Sequence, residues 1–107
     1  MLHALLKIKF TRQSEHMSEV TESINLCSKI KRKFNLLARA SFNHDQLDYI
    51  IVSALGESET QLDKIFDNLL KFCESSSFGR IYQSNAFVEE IANIEELSDN
   101  LTPEYEQ

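Results

Sequence analysis

The order in which two hydrophobic periods alternate along this chain constrains its fold more than any other feature. Leu2, Ala4, Leu6, Ile8 and Phe10 recur at every second position, the period of a strand with one buried face. Thr11 to Ser14 breaks that pattern, with Ser14 as an expected helix N-cap. Met17, Val20, Ile24, Cys27, Ile30 and Phe34 then follow at spacings of three and four, one face of a helix of about five turns. Leu36, Ala38, Ala40 and Phe42 return to a period of two. Asn43-His44-Asp45-Gln46 reads as a tight turn, and Leu47 to Leu55, almost continuously apolar, as a strand inside the sheet. Gly56 ends that strand, and Ser58 with Gln61 forms the S-x-x-Q pattern of a capping box. Leu62, Ile65, Phe66, Leu69, Leu70 and Cys73 predict a second helix, stopped by Ser75-Ser76-Ser77 and Gly79. Ile81 to Ile91 is read as a last strand centred on Ala86 to Val88.

Strand, helix, strand, strand, helix, strand is the split βαβ order, and predicts an α+β, ferredoxin-like βαββαβ fold. Right-handed crossovers place both helices on one face of a four-stranded antiparallel sheet. A chain of 107 residues suits one domain; residues 1–92 are expected to form it, with 93–107 an acidic, frayed tail. The helix stripes should pack onto Leu6, Ile8, Leu36, Ala38, Ala40, Ile50, Val52 and Ala54. By alternation the opposite face carries His3, Leu5, Lys7, Lys9, Leu37, Arg39, Tyr49, Ile51, Ser53 and Leu55. Among these, Leu5, Leu37, Tyr49, Ile51 and Leu55 form an apolar stripe, which predicts self-association into a homodimer through the open sheet face unless the tail covers it.

The net charge of −6 hides an asymmetry: residues 1–40 hold eight basic and three acidic side chains, residues 41–107 three basic and fourteen acidic ones. Lys29, Lys31, Arg32 and Lys33, with Arg39 on the following strand, concentrate the positive charge. Such a cluster can contact RNA phosphate or an acidic partner, or can simply complement the negative end of the helix dipole. DNA is not an expected partner of so acidic a chain. Cys27 and Cys73 have no CxxC spacing and lie on apolar stripes, which predicts buried free thiols. No run approaches the roughly 18 apolar residues of a membrane span. The opening residues lack a basic start and a cleavage site, so the cytoplasm is the expected location.

Catalytic patterns are missing. Gly56 and Gly79 are isolated, so no phosphate loop exists, and His3, His16 and His44 have no metal-ligand spacing. His44-Asp45 could form an acid–base pair, at a position where both residues serve a turn. Ala86-Phe87-Val88-Glu89 lacks the basic residue, the glycine and the flanking rings of an RNA-recognition core. No catalytic residue, metal or cofactor is expected, and the chain reads as a non-catalytic interaction protein.

Phe34-Asn35, Phe42-Asn43-His44-Asp45-Gln46-Leu47, Gly56-Glu57-Ser58, Leu62-Asp63-Lys64-Ile65 and Phe72-Cys73-Glu74-Ser75 resemble the YlxP-like family of small bacterial proteins of undefined activity. The likeness spans residues 2–92. Two departures stand out: a first helix opening on Ser14-Glu15-His16-Met17-Ser18-Glu19 rather than a basic run, and a shorter hairpin without tryptophan. The resemblance implies a ferredoxin-like fold. It also implies a place near the ribosome, because genes of similar proteins adjoin those of a translation initiation factor and a ribosome-binding factor. A ribosomal RNA or ribosomal protein is the expected partner. The competing expectation is a regulatory module of the ACT type that binds a small metabolite; against it, Thr11-Arg12-Gln13 offers no glycine turn at the first strand–helix junction.

Overall fold

The computed structural model describes residues 1–11, 19–44, 46–76 and 78–91, with only the backbone of Glu19. Six elements follow in the expected order: β1 (Leu2–Thr11), α1 (Glu19–Phe34), β2 (Leu37–Asn43), β3 (Gln46–Gly56), α2 (Glu59–Ser75) and β4 (Arg80–Glu90). The strands form one antiparallel sheet in the order β2-β3-β1-β4. This is the ferredoxin-like arrangement. Ser14, Met17, Asp45, Ser77 and the tail lie outside the described residues.

The core is built from one parity of each strand and one stripe of each helix. Ala4, Leu6 and Ile8 of β1, Ile50, Val52 and Ala54 of β3, and Ala38 of β2 are buried with Leu26, Cys27 and Ile30 of α1 and Leu62, Phe66, Leu69 and Cys73 of α2. Both helices therefore lie on the same face. Two edge-to-face ring pairs close the ends of this layer, Phe10 with Phe78 at 4.9 Å and Phe34 with Phe72 at 5.5 Å between centroids.

The helix boundaries have local causes. Ser58 is the N-cap of α2 and its hydroxyl accepts from the Gln61 N–H at 3.2 Å. The Gln61 side chain accepts from the Glu57 N–H at 2.7 Å, one residue beyond the usual capping-box partner. Gly56 lies so close to the first turn of α2 that a Cβ there would sit 2.9 Å from two Leu62 side-chain carbons. Asn35, at φ 56°, ends α1 in the left-handed conformation, its N–H donating to the Lys31 carbonyl. His44 has φ 52° and completes the β2–β3 turn.

One expected core residue is misplaced by the sequence reading. Ile24 is 53% exposed, whereas Ser23 and Leu26 are buried. At 100° per residue, Ser23, Leu26, Cys27 and Ile30 span an arc of roughly 100°, and Ile24 falls roughly 60° outside it. The helix turns Leu26 inward and leaves Ile24 over the free edge of β2, beside Phe42. Phe42, beside the register shift between Ser41 and Phe42, is only partly covered, at 37% exposure. The last strand occupies eleven residues, Arg80–Glu90, one residue earlier at each end than the Ile81 to Ile91 run of the sequence.

Candidate functional site

The register assigns every residue of the open face. Leu37 of β2, Ser53 of β3, Leu5 of β1 and Phe87 of β4 lie in one line across the sheet; Arg39, Ile51, Lys7 and Asn85 form the next. No described helix lies on this side. Leu37 is 71% and Phe87 62% exposed, while Leu5, Tyr49 and Ile51 are half-buried by their neighbours. Lys7 lays its ammonium 4.3 Å from the centroid of the Tyr49 ring, a cation–π contact that shields part of the apolar stripe. Leu55 stands at the far end beside His3, whose Nε2 is 2.8 Å from the Ser53 hydroxyl. Phe87 adds a large apolar side chain to this face outside the sequence-derived stripe. Its signal was available, because it alternates in register with Leu5 once β4 is placed beside β1.

The basic residues divide into two groups. Lys31 from α1 and Arg39 from β2 come together on the rim of an open hollow of about 460 Å³, whose other walls include Leu5, Leu37, Ile51 and Ser53. The cap at Asn35 causes this: it turns the chain back so that the last turn of α1 overhangs the start of β2. The same two cations border a second hollow, on the helix side of β2, with Ile24 and Phe42. Lys31 and Arg39 thus flank the free edge of β2 from both sides. Lys29, Arg32 and Lys33 face elsewhere, around Phe72. Lys33 has a packing role there, with its ammonium 4.8 Å from the Phe72 ring and 5.9 Å from that of Phe34.

Other reactive groups take up structural positions. Cys27 and Cys73 are free and buried. Burial pushes the Cys27 thiol up, with Lys31 partly opposing it. Burial also pushes Cys73 up to about 12, reinforced by Cys27 and Glu74. Both are protonated and poorly nucleophilic at neutral pH. Among the described residues, no group of three or more His, Cys, Asp or Glu side chains could hold a metal ion. His44 is an exposed turn residue; Asp45 and His16 lie outside the described residues. No helix among the described residues is long and apolar enough to cross a membrane.

No protein-family model matches the chain, and no curated protein sequence matches it either.

Proposed function

We propose that this protein is a non-catalytic binding protein whose open sheet face takes an RNA segment, as an accessory factor of ribosomes or translation. The observation that carries this reading is the convergence of Lys31 and Arg39, from different elements, on one hollow floored by Leu5, Leu37 and Ile51. Cations at a rim hold phosphate, and an apolar floor accepts an unstacked base. Phe87 extends the floor along the line of Leu37, Ser53 and Leu5 across the sheet. The likeness to YlxP-like proteins points in the same direction. Because the whole chain carries −6, binding must be local to this rim.

A single-stranded oligoribonucleotide and purified ribosomal particles, titrated with the protein at low salt, test the reading. Two phosphate contacts give a salt slope of about −1.4, a loss of about sevenfold between 50 and 200 mM. Failure of both probes to bind at 50 mM rejects it.

A second reading has one observation in its favour. A hollow of about 460 Å³ falls in the size range of small-ligand sites, so an anionic metabolite with an apolar body fits the same residues. A thermal-shift screen against phosphorylated and carboxylated metabolites separates the two, since only this reading expects a compound that raises the melting temperature while RNA does not bind.

A further inference from the structure

The outer edge of β4 is unlike the rest of the sheet. β4 is an edge strand of eleven residues. Residues 82–90 are exposed on both faces, because α2 covers only its start around Ile81. Tyr82, Phe87 and Val88 are large, apolar in body and well exposed. Among the described residues, an edge of this length offers a series of backbone groups with no strand beside them, normally blunted by lysine, proline or a cover. β4 contains no lysine or proline. Its single irregularity is a bulge at Tyr82, which leaves Gln83 to Glu90 regular against β1.

Antiparallel pairing of this strand with itself has a chemically complementary register. Residues opposite one another in a continuous sheet must share a face, so the two-fold axis passes through a residue. With Asn85 on the axis, Gln83 faces Phe87 of the second copy and Ser84 faces Ala86, in both directions. The bulge then brings Ile81 opposite Val88, both on the helix side, since they lie beside Phe10 and Ala4 of β1. It also brings Arg80 opposite Glu89, both on the open side, since they lie beside Thr11 and His3. Two Arg–Glu pairs and two apolar pairs result, with like charges kept at opposite ends. Moving the axis to Glu89 sets acid against acid. The free edge of β2 has no such match: it is shorter, seven residues, and Lys31 and Arg39 crowd it with positive charge in both copies.

We infer that a second copy of this chain pairs edge to edge along β4, with Arg80 against Glu89 of its partner, to form one eight-stranded sheet. Each open face and its Lys31–Arg39 rim then stays accessible, on the same side of the joined sheet, so the dimer presents two rims to one extended ligand. The inference rests on the strand edge alone and stands whether or not RNA is that ligand. It replaces stacking of two open faces as the mode of self-association.

Light scattering of the intact chain, from about 1 to 100 µM, tests it. Wild type is expected to be dimeric at the upper end. Arg80→Glu and Glu89→Arg should each weaken the dimer about tenfold or more, because each turns two attractive pairs into repulsive ones. The double variant R80E/E89R should restore it, with circular dichroism confirming that all variants fold. Tyr49→Lys, on the open face, should leave the dimer unchanged. A wild type that is monomeric at 100 µM overturns the proposal. So does a dimer that Tyr49→Lys dissociates and Arg80→Glu does not, which marks face-to-face stacking, or a charge swap that fails to restore association in a folded protein.

Discussion

The two helices lie side by side on one sheet, yet they are built for different purposes. α2 has a side-chain N-cap, a stripe in which Leu62, Phe66, Leu69 and Cys73 are all buried, and a close seat against Gly56. α1 leaves Ile24 exposed and buries Ser23, whose hydroxyl finds no hydrogen-bond partner among the described residues. It gathers Lys31, Arg32 and Lys33 in its last turn. α2 has no cation in its last turn. The difference teaches where this small domain places its stability and where it places its surface chemistry. α2 packs against β3, β4 and β1, whereas α1 packs on β2 and β3 and also carries charge to the edge of β2.

The largest contrast should come from truncating one apolar residue on each helix. Leu69→Ala removes a fully buried side chain and should cost about 3–4 kcal/mol in denaturant unfolding, whereas Ile24→Ala should cost under about 1 kcal/mol. Equal losses would break the distinction between the helices. Alkaline pH should act through α2 as well. The Cys73 thiol, ordinarily at 9.0, sits at about 12 in the folded chain, so above pH 9 the unfolded chain sheds a proton that the folded chain retains. The contribution is fully present below pH 9 and is lost as pH rises towards 12, reaching about 2 kcal/mol near pH 10.5. Cys73→Ala should flatten that part of the stability–pH curve; an unchanged slope would assign it to other groups.

Smaller effects sharpen the comparison. Ser58→Ala should lose about 1 kcal/mol through the orphaned Gln61 N–H. Ser23→Ala on α1 should do the opposite and gain roughly 0.5–1 kcal/mol, because it removes a buried hydroxyl without a partner and raises helix propensity. Destabilisation by Ser23→Ala would mean that the hydroxyl is satisfied in solution.

This contrast also explains what was legible in the sequence. α2 was readable because Leu62, Phe66, Leu69 and Cys73 keep one unbroken stripe and Ser58 marks its start. On α1 the spacing of Val20, Ile24 and Cys27 offered a plausible second stripe, and a hydrophobic pattern alone cannot prefer Ile24 over Leu26. The choice is made by packing against β3 and α2, a tertiary effect. The order of the elements along the chain, the hairpin at His44 and the internal position of β3 all followed from period and turn chemistry. The extent of β4 was legible to within one residue at each end, but its bulge at Tyr82 was not, because Gln83, Ser84 and Asn85 give little apolar alternation to fix a register. The five basic residues looked like one cluster because Lys29, Lys31, Arg32 and Lys33 are neighbours in sequence. Successive helix positions point in different directions, and only Lys31 is brought to Arg39.

That division of the basic residues can be tested directly, with net charge held constant between two double variants. Lys31→Gln with Arg39→Gln removes the pair on the hollow; Lys29→Gln with Arg32→Gln removes two cations from the other group. Binding of a single-stranded oligoribonucleotide is measured for each between 50 and 200 mM salt. The Lys31/Arg39 variant should lose most binding at 50 mM and flatten the salt slope by about 1.4, while the Lys29/Arg32 variant keeps a slope close to wild type. Equal losses in the two variants, or the larger loss in Lys29/Arg32, would contradict a binding site on the open face.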